Sequence, residues 1–258
     1  MGGRPVARGA GCSARLTLRS SAACKTGINQ ANSQLIANCK QWRYAMITVF
    51  GEGRGFRVVW LLEEMGLPYR LRPVDLLVGV ENDPEFLQVN PAGFIPAIQD
   101  GDVTMVESIA IMEYLMARYG PTPFSPASQD ATFPLYQQFL HLGEAGLAAS
   151  AYFVNGARNI APESERDNWS ARQAMRVFES RLGLVKRQLA RTPYLSGAAF
   201  TAADISVVYA LLMARRNCGV TYGAIEDAYI ERVIAREGYK KAMEVCQATK
   251  AWAASRGG

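Results

Sequence analysis

The apolar pattern of this 258-residue chain changes period once, at a proline-rich stretch, Gly120-Pro121-Thr122-Pro123-Phe124-Ser125-Pro126. Ahead of that stretch, short β-branched runs alternate with helical ones, whereas behind it only helical periods occur. Such a chain folds as an α/β unit followed by an all-α unit, with the prolines between them.

Ile47-Thr48-Val49-Phe50 reads as a buried strand, stopped by Gly51, Gly53 and Gly55. Phe56–Met65 follows as a helix that is apolar almost all round, ended by Gly66 and Pro68. Tyr69–Leu76 is a second strand. Asp83 and Pro84 open a short helix as N-cap and first residue. From Asn90 to Val106 the pattern is a loop, a short strand, an Asp-Gly turn and another short strand. Glu107–Tyr119 is helical, with Ile109, Met112, Leu115 and Met116 on its apolar face. The order β-α-β-α-β-β-α closes as a mixed sheet of four strands with helices on both faces. Beyond the prolines, helices are expected over 133–155, 164–191, 202–215, 223–236 and 239–254. The expected organisation is an extension over 1–45, an α/β domain over 46–120, a linker over 121–131 and a helical domain over 132–258.

The net charge of +5 and the pI near 9.0 mislead, because the basic excess is local. Residues 1–45 hold seven Lys or Arg and no Asp or Glu, which leaves 21 basic against 23 acidic residues downstream. The folded part is therefore nearly neutral and no nucleic-acid partner is expected. Cys12, Cys24 and Cys39 lie in the extension, leaving Cys218 and Cys246 downstream, with no C-x-x-C and a lone histidine, His141. Neither a metal site nor a disulfide framework is expected, and a reducing, cytoplasmic setting is the default. The longest apolar stretches, such as Ile205–Ala214, are too short to span a bilayer.

Residues 1–45 are Arg-, Ser-, Ala- and Gly-rich without an apolar period, a composition shared with organellar transit peptides. The other reading is a disordered or non-native extension ahead of a start at Met46. The strand that begins directly after Met46 favours it.

Three segments carry a family resemblance. They are Asn90-Pro91-Ala92-Gly93-Phe94-Ile95-Pro96, then Glu107-Ser108 opening a helix, then Leu195-Ser196-Gly197 with Phe200-Thr201-Ala202-Ala203-Asp204-Ile205. In this order and at these spacings, from Met46 onward, the chain resembles the cytosolic glutathione transferases. The resemblance implies a thioredoxin-like domain that binds glutathione, an all-helical domain and a homodimer. It also implies a cis Pro96 that turns the Ile95 backbone toward the cysteinyl residue of glutathione, to pair as an added strand would. Glu107 would take the α-ammonium of the γ-glutamyl residue, and Ser108 with the helix amides its carboxylate. Spacing alone makes Ser108 an ordinary cap and Glu107 a favourable charge at a helix start. Thr201 and Asp204 resemble the family's buried capping box, with Phe200 stapled onto Ile205.

The family's chemistry is ionisation of the glutathione thiol, assisted by a Tyr, Ser or Cys just after the first strand. Here that segment is Gly51-Glu52-Gly53-Arg54-Gly55-Phe56, which holds none of the three. Backbone amides at the helix start and the Arg54 cation are the substitutes, with Gly53 and Gly55 permitting close approach. The alternative is a solvated Arg54. Glu52 would raise a thiol pKa, and Tyr44 precedes the strand. The glycines do not make a dinucleotide fingerprint, because Phe56 stands where its third glycine belongs. Phe94 occupies a position where many members carry Lys, Arg or Gln. His141 is expected in a hydrogen bond in the core or at a dimer interface rather than in catalysis. Tyr136, Phe139, Tyr152, Phe153 and Trp169 are candidates either for an apolar pocket or for plain core.

The expected activity is conjugation of the glutathione thiolate to a small apolar electrophile, a detoxification chemistry with glutathione as co-substrate and no cofactor. The alternatives are a non-catalytic glutathione- or ligand-binding protein of the same fold, or a scaffold.

Overall fold

The computed structural model describes residues 46–76 and 79–256, with side chains through residue 247. The expectations for residues 1–45 and for Tyr44 lie outside the described residues. β1 (Ile47–Phe50) pairs in parallel with β2 (Tyr69–Arg72), the two joined by α1 (Phe56–Met65). After α2 (Pro84–Val89), β3 (Ala97–Asp100) lies antiparallel to β1 and β4 (Val103–Val106) antiparallel to β3. The sheet order is β2-β1-β3-β4, the mixed sheet expected.

Alternation along the strands sorts the side chains to two cores. Ile47, Val49 and Ile98 join α1 and α3 (Ser108–Tyr119) in the larger one, while Phe50 and Ala97 meet Phe86 of α2 on the other face. Asp83 caps α2 as predicted, accepting from the Phe86 amide at 3.0 Å. It also takes both Arg72 guanidinium nitrogens at 2.7–2.8 Å, and this pairing holds its carboxyl below the usual range. β2 is shorter than expected: it ends at Arg72, where Pro73 has no amide to continue a ladder.

The remainder is helical, as expected: α4 (Phe133–His141), α5 (Ala149–Asn155), α6 (Trp169–Leu189), α7 (Ala202–Cys218), α8 (Ala224–Ile234) and α9 (Glu237–Arg256). The helix predicted over 133–155 is not uniformly α. It widens into a π segment at Leu142–Ala148. Gly143 lies against α7 there, where a Cβ would collide with Ser206. Two buried hydroxyls supply extra donors to carbonyls around this segment: Ser206 donates to the Leu140 carbonyl at 2.7 Å and Ser150 to that of Gly146 at 2.9 Å.

The box at the start of α7 is present. Asp204, fully buried, accepts from the Thr201 amide at 2.8 Å, the Leu195 amide at 3.0 Å and the Tyr229 hydroxyl at 2.8 Å. One carboxylate thus ties a loop, α7 and α8 together. The α/β and helical parts share the larger core. Phe56 and Trp60 of α1 meet Tyr239 of α9 edge to face, and Arg236 grips Glu64 through two bonds of 2.7–2.8 Å.

His141 is neither in the core nor buried. It is exposed at the end of α4, with Nε2 3.3 Å from Glu113 of α3. Tyr136 and Phe139 are core residues, while Phe153 and Trp169 are exposed.

Candidate functional site

Three chain segments converge at one end of the sheet. Phe50 is paired with Ala97, and Ala97 with Val106. Gly51, Pro96 and Glu107 are therefore the next residues out on three adjacent strands.

The loop between β1 and α1 is held tightly against this junction. Gly51 has φ of 82°, and a Cβ there would strike the Ile95 side chain. At Gly55, the residue before α1, a Cβ would strike the Gly51 carbonyl oxygen. Close packing of the loop on itself accounts for these glycines. Gly53 is less constrained, a Cβ there lying 3.2 Å from Ile95 Cδ1. The amides of Gly53 and Arg54 take no backbone partner among the described residues.

Ile95-Pro96 is a cis peptide. The turn ahead of it is shaped by buried Asn90, whose side chain donates to the Phe94 carbonyl at 2.6 Å and accepts from the Ala92 amide at 3.1 Å. Asn90 was legible only as part of a motif.

Neither the Glu107 nor the Ser108 side chain makes a cap bond. Glu107 itself is the N-cap residue of α3, with φ of 68° and no side-chain cap bond. A non-glycine residue in that region is strained by about 1–3 kcal/mol. Ser108 is the first helical residue, its side chain buried, and its hydroxyl has no protein partner among the described residues. The cap reading is thereby overturned: a carboxylate and a hydroxyl stand unused at a helix start, beside a cis-proline turn.

On the opposite side lies an unforeseen ionic cluster. Arg54, about one-third exposed, bonds Glu144 Oε1 at 2.9 Å and lies 5.1 Å from the Tyr152 ring centre. The other Glu144 oxygen is 2.5 Å from Arg57, which is fully buried and lies over the Tyr209 ring at 4.5 Å. The Arg57 nitrogens make no aligned hydrogen bond, and Glu52 Oε2 is buried without one too. Arg54 is thus not a solvated loop cation. Burial raises the Tyr209 hydroxyl pKa, with Arg57 and Arg54 opposing it. Glu144 belongs to the π segment, and no helical period could have placed it. Arg57, a cation on a helix apolar all round, was the signal available.

A cavity of about 1010 Å³ opens between the two layers, lined by Gly53, Arg54 and Ile95 from one and by Tyr152, Tyr209 and Met213 from the other. Of the aromatic candidates, Tyr152 lines it. Pro96, Glu107 and Ser108 flank the same loop without lining the cavity. Among the described residues no group of side chains could hold a metal ion, and no helix is long and apolar enough to cross a membrane.

Residues 46–117 match the family described as Glutathione S-transferase, N-terminal domain. Glutathione S-transferase 3 of Schizosaccharomyces pombe is 30% identical over 177 residues, covering 64% of this chain and 72% of that protein. The theta class glutathione S-transferase of Xanthomonas axonopodis pv. citri, solved with glutathione bound, superposes with a TM-score of 0.65 at 26% identity. It covers 77% of this chain and 97% of that one. Glutathione S-transferase 3 of Zea mays is 31% identical over 199 residues, covering 72% of this chain and 86% of that protein. With its thioredoxin-like sheet, its helical domain and relatives matched over most of their length, the chain belongs to the glutathione S-transferase family.

Proposed function

We propose that the chain is a transferase that joins the sulfur of glutathione to a small apolar electrophile, working as a cytoplasmic homodimer in detoxification without a cofactor. The observation that carries this reading is the unused pair Glu107 and Ser108, set beside the cis Ile95-Pro96 turn and next to an open cavity. Ile95 supplies backbone bonds to the cysteinyl residue, Glu107 receives the γ-glutamyl ammonium, and Ser108 with the first amides of α3 receives its carboxylate. The thiol then lies toward Gly53 and Arg54. Ionisation releases its proton to solvent, and the sulfur electron pair forms the new carbon–sulfur bond. In a substitution the leaving group departs with the pair of the bond that breaks. Arg54 and the free amides of the loop favour the thiolate over the thiol. The exposed aromatic side chains Phe153 and Trp169 offer apolar surface for a two-fold contact.

A second reading has one specific observation behind it. Arg54 is already answered by Glu144, which weakens the field it offers to sulfur, and the loop holds no Tyr, Ser or Cys. On that reading the protein binds glutathione and an apolar ligand without joining them. A spectroscopic titration of glutathione bound to the full chain separates the two. A thiol pKa below that of the free tripeptide supports the transferase, whereas an unshifted one supports the binding protein.

A further inference from the structure

The cavity is not uniformly apolar. Phe94, Leu212, Met213 and Met243 line its body, while its described charged residues are Arg54, Arg215, Arg216 and one carboxylate, Glu52. Arg54 is paired with Glu144 and Arg215 with Asp227. Arg216 is exposed and bonds only a neutral partner, its Nε donating to Asn217 Oδ1 at 3.1 Å. No carboxylate among the described residues pairs with it.

The spacing on α7 gives this cation a definite place. Tyr209, Leu212, Met213 and Arg216 all line the cavity, and steps of three and four residues set them along one face of the helix. Arg216 therefore ends an apolar stripe, about one helical turn (~5–6 Å) beyond Leu212. Its charge reaches the cavity wall: burial raises the hydroxyl pKa of both Tyr209 and Tyr239, and Arg216 lowers each.

We propose, on the transferase reading above, that among electrophiles with an apolar body the cavity favours those that also carry an anionic group, the apolar or aromatic body lying along Leu212, Met213 and Phe94 and the carboxylate or sulfonate on Arg216. Neutral electrophiles would use the apolar stripe alone. Arg216 is then the residue that selects among electrophiles, and it is assigned no part in holding glutathione, whose proposed partners Glu107 and Ser108 stand at the sheet end and do not line the cavity.

The test uses two naphthalene dyes of similar size, anionic 8-anilinonaphthalene-1-sulfonate and neutral N-phenyl-1-naphthylamine. Each is titrated by fluorescence into the full chain saturated with S-methylglutathione. Arg216→Ala and Arg216→Gln are compared with the parent, with thermal unfolding confirming that each variant is folded. The anionic dye should bind roughly tenfold or more weakly to both variants, and the neutral dye within about twofold of the parent. Equal losses for both dyes, or no loss, would overturn the proposal. A loss seen only when S-methylglutathione is left out would also overturn it, by assigning Arg216 to the tripeptide's own carboxylates. Because the readout is dye binding, it holds whether or not the protein activates a thiol. Failure here therefore leaves the transferase reading standing, and failure of that reading leaves this result interpretable.

Discussion

Arg57 meets Glu144 at 2.5 Å where α1 packs against the π segment, with the guanidinium wholly removed from solvent. The same carboxylate holds Arg54 by its other oxygen at 2.9 Å. One acid thus serves two cations of different character, one buried in the core and one at the cavity wall. The buried arginine fixes Glu144, and Glu144 fixes Arg54, so the orientation of the cavity cation depends on residues that do not line the cavity.

Removing Glu144 should therefore affect stability before it affects chemistry. Glu144→Ala strands the Arg57 charge in the core and should cost about 3–5 kcal/mol in urea unfolding. Adding Arg57→Met to that variant should recover most of the loss, since an apolar side chain of similar length needs no counter-ion. A Glu144→Ala protein within about 1 kcal/mol of the parent would show that the pair carries no such weight.

On the proposed reading, Glu107 trades stability for binding. Glycine suits its φ of 68°, so Glu107→Gly should raise the unfolding free energy by about 1 kcal/mol. The same variant should lose roughly tenfold or more in glutathione affinity, measured calorimetrically, because a charge-assisted bond to the ammonium disappears. Stabilisation with unchanged affinity would remove Glu107 from the binding site.

Burial pushes the Asp204 carboxyl up to about 6, against the hydrogen bonds from Leu195, Thr201 and Tyr229 that favour its ionised form. The folded protein keeps this proton where the unfolded chain has already lost it. The associated stability is thus fully present below about pH 4 and is lost as pH rises through 6, to the extent of ~3 kcal/mol. Asp204→Asn cannot titrate. Its unfolding free energy, subtracted from that of the parent, should show a stabilising difference that shrinks between pH 4 and 6. A constant difference would mean that Asp204 is ionised throughout.

The fold was largely legible because its signals are local. Gly66 and Pro68 ended α1, Asp83 and Pro84 began α2, and Thr201 with Asp204 began α7, each by a rule that needs only neighbouring residues. The losses came where distant chain segments decide. Pro73 cut β2 short. The contact between Gly143 and Ser206, sixty residues apart and more, accompanies a change in winding that carries Glu144 toward Arg54 and Arg57. Ser108 looked like a cap because its residue type and position fit one. Only the backbone angle of Glu107 places the cap one residue earlier and leaves the hydroxyl unused. Nothing in the spacing of Arg216 from the first domain announced that it ends a stripe lining the cavity.

The transferase reading requires that the loop after β1 activate sulfur without Tyr, Ser or Cys. The direct measurement is the pH titration of thiolate ultraviolet absorbance for glutathione bound to the full chain, with Arg54→Ala alongside. The bound thiol should ionise at least one unit below the ~8.5 of an ordinary thiol, and Arg54→Ala should return it toward that value. A bound thiol that titrates like the free one in the parent protein would contradict the account.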